Sequence, residues 1–175
     1  MKMLRNFTIR FVMLTILGIF CVMWAGVGLY STWSLSRVSD GNDVDRQLVR
    51  QMTVLSQGND QYFRFVTRLS RAMEVKAAGG TPDLAPAQQA LDNMSKKLAE
   101  MKAISPGPMD EKVSAQVIST WQALLDRGVT PQMAQAKQAT LEGYRQHANN
   151  VTPPLSRAFG SAAENFNNTA AKALD

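Results

Sequence analysis

The chain is 175 residues long, 45% hydrophobic and 7% aromatic, with 19 Lys and Arg against 14 Asp and Glu, one His and one Cys. That length allows one domain with a sizeable core. The formal net charge of +5 does not mark a nucleic-acid binder. Lys2, Arg5 and Arg10 precede every acid, and the rest of the chain sets 16 basic against 14 acidic residues with no run of like charge. A lone cysteine, Cys21, excludes a disulfide framework and a multi-thiolate metal site.

From Phe11 to Tyr30 the one clearly polar side chain is Thr15, and no charge lies between Arg10 and Arg37. Twenty helical residues span about 30 Å, the thickness of a bilayer's hydrocarbon core. Trp24, Tyr30 and Trp33 sit where an aromatic belt would lie. The pattern predicts a transmembrane helix over 11–33 in a bacterial inner membrane. The positive-inside rule then puts 1–10 in the cytoplasm and 34–175 in the periplasm. A cleaved signal peptide is the alternative, disfavoured because the apolar run is too long and no A-x-A site follows it.

Residues beyond about 38 read as helical. Leu48, Met52, Leu55, Asn59, Tyr62, Val66, Leu69 and Met73 recur at spacings of four and three, the seam of a bundle helix that stops at Gly79-Gly80. A second helix starts after Thr81-Pro82-Asp83, with Leu84, Ala87, Leu91, Met94, Leu98 and Met101 on one face, and ends at Ser105-Pro106-Gly107-Pro108. Asp110-Glu111 opens a third on a favourable dipole end, with Val113, Val117, Trp121 and Leu124 inward and Gly128 closing it. After a short helical stretch, a fourth helix from about 139 has the seam Leu141, Tyr144, Ala148, Val151, Leu155, Ala158, Ala162, Phe166 and Ala170. The seam keeps register across Pro153-Pro154, which points to a kink rather than a break and restart at Thr152. The expected fold is all-α, an antiparallel up-down-up-down four-helix bundle following the membrane helix. Helix four would return toward the membrane, so a second span is expected beyond residue 175.

The chain carries no P-loop, dinucleotide fingerprint, H-E-x-x-H or G-x-S-x-G pattern. His147 has no second ligand at metal-binding spacing. The expectation is therefore a membrane-anchored binding module with no cofactor and no enzyme activity. Arg64, Arg68 and Arg71 form a stripe at spacings of four and three, each two positions after a seam residue and so turned away from the core. Phe63 and Phe65 interleave with them. Guanidinium and aromatic groups together suit a carboxylate pocket or an interface between copies. Gln138-Ala139-Thr140 enters helix four from the same end of the bundle, which would bring a hydrogen-bonding pair to the level of the arginines.

This layout resembles the sensor half of methyl-accepting chemotaxis proteins of the aspartate and serine receptor type. Thr67-Arg68-Leu69-Ser70-Arg71-Ala72 resembles that family's arginine motif, with Val75 where a third arginine would fall, and Gln138-Ala139-Thr140 followed by Gly143-Tyr144 resembles its Q-P-T-Q-G-Y. The resemblance implies a homodimer with a small ligand between subunits, held by Arg64, Arg68, Arg71, Gln138, Thr140 and Tyr144. It also implies a small displacement of helix four as the signal, and a histidine kinase and adaptor as partners of the cytoplasmic part. The three cations favour a di- or tricarboxylate, such as a citric-acid-cycle intermediate, over an amino acid, with Glu74 and Glu142 the nearest acids. The alternatives are the sensor of a membrane histidine kinase or cyclase, and a ligand-free anchored helical adaptor.

Overall fold

The computed structural model describes residues 43–138 and 141–174. The segments predicted as cytoplasmic (1–10) and membrane-spanning (11–33) lie outside these residues. Among the described residues no helix is long and apolar enough to cross a membrane. They form helices with no strand, as the periodicity predicts.

Helix α1 runs without interruption over residues 43–77, about 52 Å at the rise of an α-helix. It ends in paired reverse bonds, Gly79 N–H to the Lys76 carbonyl at 3.0 Å and Gly80 N–H to the Val75 carbonyl at 2.9 Å. Gly79 takes the left-handed turn, φ 83°, that this termination requires. Leu48, Leu55 and Leu69 are buried as expected. The second core line, however, is Gln51, Gly58, Phe65 and Ala72, one residue earlier than the seam read from sequence. Met52, Asn59 and Val66 are only half-buried, and Met73 is buried with its neighbour Ala72.

Helix α2 spans Ala85–Ile104. The Asp83 carboxylate accepts the Ala85 N–H at 3.0 Å, and Pro86 occupies the first turn. Ala87, Leu91, Met94, Leu98 and Met101 are buried as the spacing predicts, with Ala90 added and Leu84 half-buried. Asp110 caps helix α3, Glu111–Ala123, through Lys112 N–H at 2.9 Å and Val113 N–H at 3.1 Å.

Gly128 does not close the third helix. The chain continues through a π turn, Leu124–Val129, into α4, Thr130–Gln138. Pro131 has no N–H for the ordinary helical bond, and the wider turn just before it accommodates that loss. Gly128 is buried for close packing, since a Cβ there would lie 3.1 Å from Leu124 and 3.5 Å from Leu155.

The fourth leg is also divided, into α5, Leu141–Asn150, and α6, Thr152–Leu174. The kink expected at the prolines is a break at Val151. Pro153 and Pro154 sit in the first turn of α6, where helical N–H groups have no partner anyway. The buried line crosses the break one residue later than expected, with Thr152 and Phe159 inside and Val151 and Ala158 exposed.

Gln51 meets the end of α2 and Arg68 meets its start, so α1 and α2 are antiparallel. Gly58 lies against Trp121, and Lys76 donates to the Ala136 carbonyl at 3.2 Å, so α3 and α4 rise beside α1. Trp121 packs on Phe159 with ring centroids 5.3 Å apart, and α3 packs along α6, which descends. The result is the expected four-legged antiparallel bundle, cored by Phe65, Trp121, Phe159 and Phe166.

Candidate functional site

The upper half of α1 lies between two clefts. On its α2 side, Arg68, Arg71, Ala72 and Val75 face Asp83 and Pro86 across a space of about 370 Å³. On its α5 side, Ser70, Met73, Glu74 and Ala77 face Leu141, Tyr144 and Arg145 across about 210 Å³. Helical geometry separates the two rows, because Arg68 and Arg71 lie on one flank of the buried line and Ser70, Glu74 and Ala77 on the other.

The three predicted arginines have different partners. Arg64 Nε donates to the Asp60 carboxylate at 2.6 Å, and both side chains are more than half exposed. Its charge is thus partnered one turn away. Arg68 is half-buried and donates from Nη1 to the Pro86 carbonyl at 3.0 Å, fastening α1 to the first turn of α2. Arg71 is exposed in the same cleft, with no packing duty of this kind. Phe65, expected beside the arginines, is fully buried in the core, and Phe63 is 59% exposed. The stripe flanks the core rather than opposing it, which follows from the shifted buried line on α1.

Gln138 is exposed at the end of α4, and Thr140 lies outside the described residues. Tyr144 is buried and lines the α5-side cleft. Within one chain, therefore, Tyr144 does not share a cleft with Arg68 and Arg71. Lys76, eight residues beyond Arg68 on α1, reaches the carbonyl of Ala136, two residues before Gln138. Sequence reading missed Ser70, Arg145 and Asp83 as lining residues. The spacing of Ser70, Glu74 and Ala77 was a signal for the first, whereas Asp83 depends on the path of the α1–α2 loop. Among the described residues no group of three His, Cys, Asp or Glu is placed to hold a metal ion.

The fold is thus a helical bundle with two recesses of mixed polar and apolar lining along its long first helix. Over residues 3–174 the chain matches the family described as Tar ligand binding domain homologue, and it belongs to that family: it is a periplasmic-type chemoreceptor ligand-binding domain, a non-catalytic kind of sensor. It is similar to a crystal structure of the N-terminal ligand-binding domain of a methyl-accepting chemotaxis protein from Salmonella enterica. The two are 65% identical, the match covers 76% of this chain and 98% of that chain, and the TM-score is 0.75. No curated protein matches the chain.

Proposed function

We propose that this domain binds a small carboxylate between two copies of the chain and acts as the periplasmic sensor of a bacterial chemotaxis receptor. In this reading residues 1–10 are cytoplasmic, 11–33 span the inner membrane and 34–175 form the sensor. A kinase and an adaptor answer to the cytoplasmic part of the receptor. The observation that carries the ligand class is the pairing of Arg68 and Arg71 in one cleft with apolar walls from Ala72, Val75 and Pro86. Two features weigh against a strict preference for di- and tricarboxylates. Arg64 already has Asp60, and Asp83 puts an acid inside the cleft. A carboxylate that carries an ammonium group fits this arrangement as well as a dicarboxylate does.

A homodimer is supported by an uncharged row on α1, Val49, Met52, Ser56, Asn59, Phe63, Val66 and Ser70, at spacings of three and four. Val49 is 52% and Phe63 59% exposed, the two most exposed large apolar side chains among the described residues. A partner's α1 on this row would bring the arginines and Tyr144 of different chains toward one site.

Calorimetry with citrate, succinate, aspartate and serine tests the reading. At least one should bind, and Arg71→Ala should weaken it at least ~tenfold, the loss of a charge-assisted contact, with the helical circular dichroism unchanged. Undiminished binding to Arg71→Ala would remove the cleft from the site. Sedimentation of Phe63→Lys should show a weaker dimer than the parent chain.

A further inference from the structure

A second cleft, of about 430 Å³, opens at the other end of the α1–α2 pair, lined by Gln47, Arg50, Ala103, Ile104, Ser105 and Gly107. Arg50 is eighteen residues before Arg68, which is about 27 Å along α1. The two clefts are separate.

Arg50 is weakly engaged there. Its ion partner is Glu100 at 3.6 Å, with the side chains 62% and 34% exposed. The same carboxylate is held more closely by Lys97 Nζ at 2.9 Å. A long, exposed pair whose acid is already neutralised contributes little, so the guanidinium can exchange it for a better-placed anion. Arg46 lies one turn earlier on the same face of α1.

The rest of the cleft suits a small anion. Gln51 Nε2 donates to the Ile104 carbonyl at 2.8 Å and to the Pro106 carbonyl at 2.9 Å. These groups belong to the negative end of α2, and the buried amide masks them. Gly107, at φ 54°, brings the loop backbone against the amides of Gln51 and Gln47, where a Cβ would approach to 3.1 Å and 3.4 Å. Ser105 lines the cleft, and its buried hydroxyl has no hydrogen-bond partner. Unsatisfied buried polar atoms are rare enough to need an explanation, and a hydroxyl can turn to donate to an incoming oxygen.

We propose that this cleft is a second binding site, for a small oxyanion (carboxylate or phosphate), with Arg50 as its cation and Gln47 and Ser105 as flanking donors. The site does not depend on the Arg68–Arg71 cleft or on the ligand bound there.

The test is an NMR titration of the full 175-residue chain in neutral detergent with succinate and with inorganic phosphate, reading the backbone N–H signals of Gln47, Ser105 and Gly107, which line the cleft and are present in every variant. Saturable shifts are expected with at least one probe. Arg50→Gln should weaken binding at least ~tenfold, as loss of a charge-assisted contact does, whereas Arg71→Gln should leave it unchanged. Glu100→Gln removes the competing carboxylate and should tighten binding by about threefold, the scale of a released surface ion pair. A purely structural Arg50–Glu100 pair would not produce that gain. Shifts that stay linear and are matched by chloride would overturn the site, as would loss of binding in Arg71→Gln with Arg50→Gln unaffected.

Discussion

His147 Nε2 lies 2.8 Å from the carbonyl oxygen of Gly128, joining α5 to the π turn of the third helix. A carbonyl can only accept, so Nε2 carries the hydrogen in this contact. Five residues on, the Thr152 hydroxyl donates to Gln132 Oε1 at 2.8 Å, with both side chains buried. The break in the fourth leg at Val151 is thus bracketed by two polar links to the irregular stretch of the third.

His147→Ala should destabilise the domain by about 1–2 kcal/mol, the range for removing one partner of a part-buried hydrogen bond. Urea unfolding measures this, and His147→Gln, which keeps a donor, should recover part of the loss. Equal stability in the parent and His147→Ala would mean that the bond contributes nothing net.

Gly58→Ala is expected to be costly for a single methyl group. A Cβ at position 58 would overlap the six-membered ring of Trp121, and Trp121 is itself fully buried against Phe159. Overpacking of this kind costs about 1–3 kcal/mol. In thermal unfolding, Gly58→Ala combined with Trp121→Phe should lose less than the sum of the two single changes, because they share one contact.

Glu100 sets a pH dependence whose sign is fixed. The hydrogen bond from Lys97 lowers its carboxyl pKa below the ordinary value; burial opposes this, and the charges of Lys97 and then Arg50 assist it. The stabilisation is therefore present above the unfolded carboxyl range and is lost as pH falls through the lowered folded value. In a carbon-detected NMR titration, Lys97→Met should raise the Glu100 midpoint more than Arg50→Gln does. The reverse order would assign the carboxylate to Arg50.

Most of the buried face of helix α2 was legible because Ala87, Leu91, Met94, Leu98 and Met101 are apolar and keep helical spacing. The buried line of α1 was misread because three of its members do not look like core. Gln51 is inside to serve two carbonyls, Gly58 to admit an indole, and Ala72 beside Met73. Each is explained by a partner more than thirty residues away or by a neighbour's bulk, and such pairings leave no periodic trace. Gly128 failed as a stop signal for the same reason, being a glycine inside the π turn that is kept small by Leu124 and Leu155.

In the candidate site, the sharing of one cleft by Arg68 and Arg71 could be read from their three-residue spacing. So could the capture of Arg64 by Asp60, a four-residue pair that sequence reading overlooked. Asp83 in the Arg68–Arg71 cleft could not be read, since only the loop's path puts it there. The separation of Tyr144 from the arginines also required the fold, because it depends on α5 descending on the opposite flank of α1 from α2.

The discontinuity at Val151 makes the fourth leg two struts rather than one rod. Pro153 and Pro154 offer no N–H across the joint, so axial load on α5 has few backbone bonds by which to reach α6 directly. The stiffer route runs sideways, from His147 into Gly128 and back from Gln132 into Thr152. The third leg is therefore a splint across that joint, and the stiffness of the pair is set as much by its π turn as by the two struts themselves.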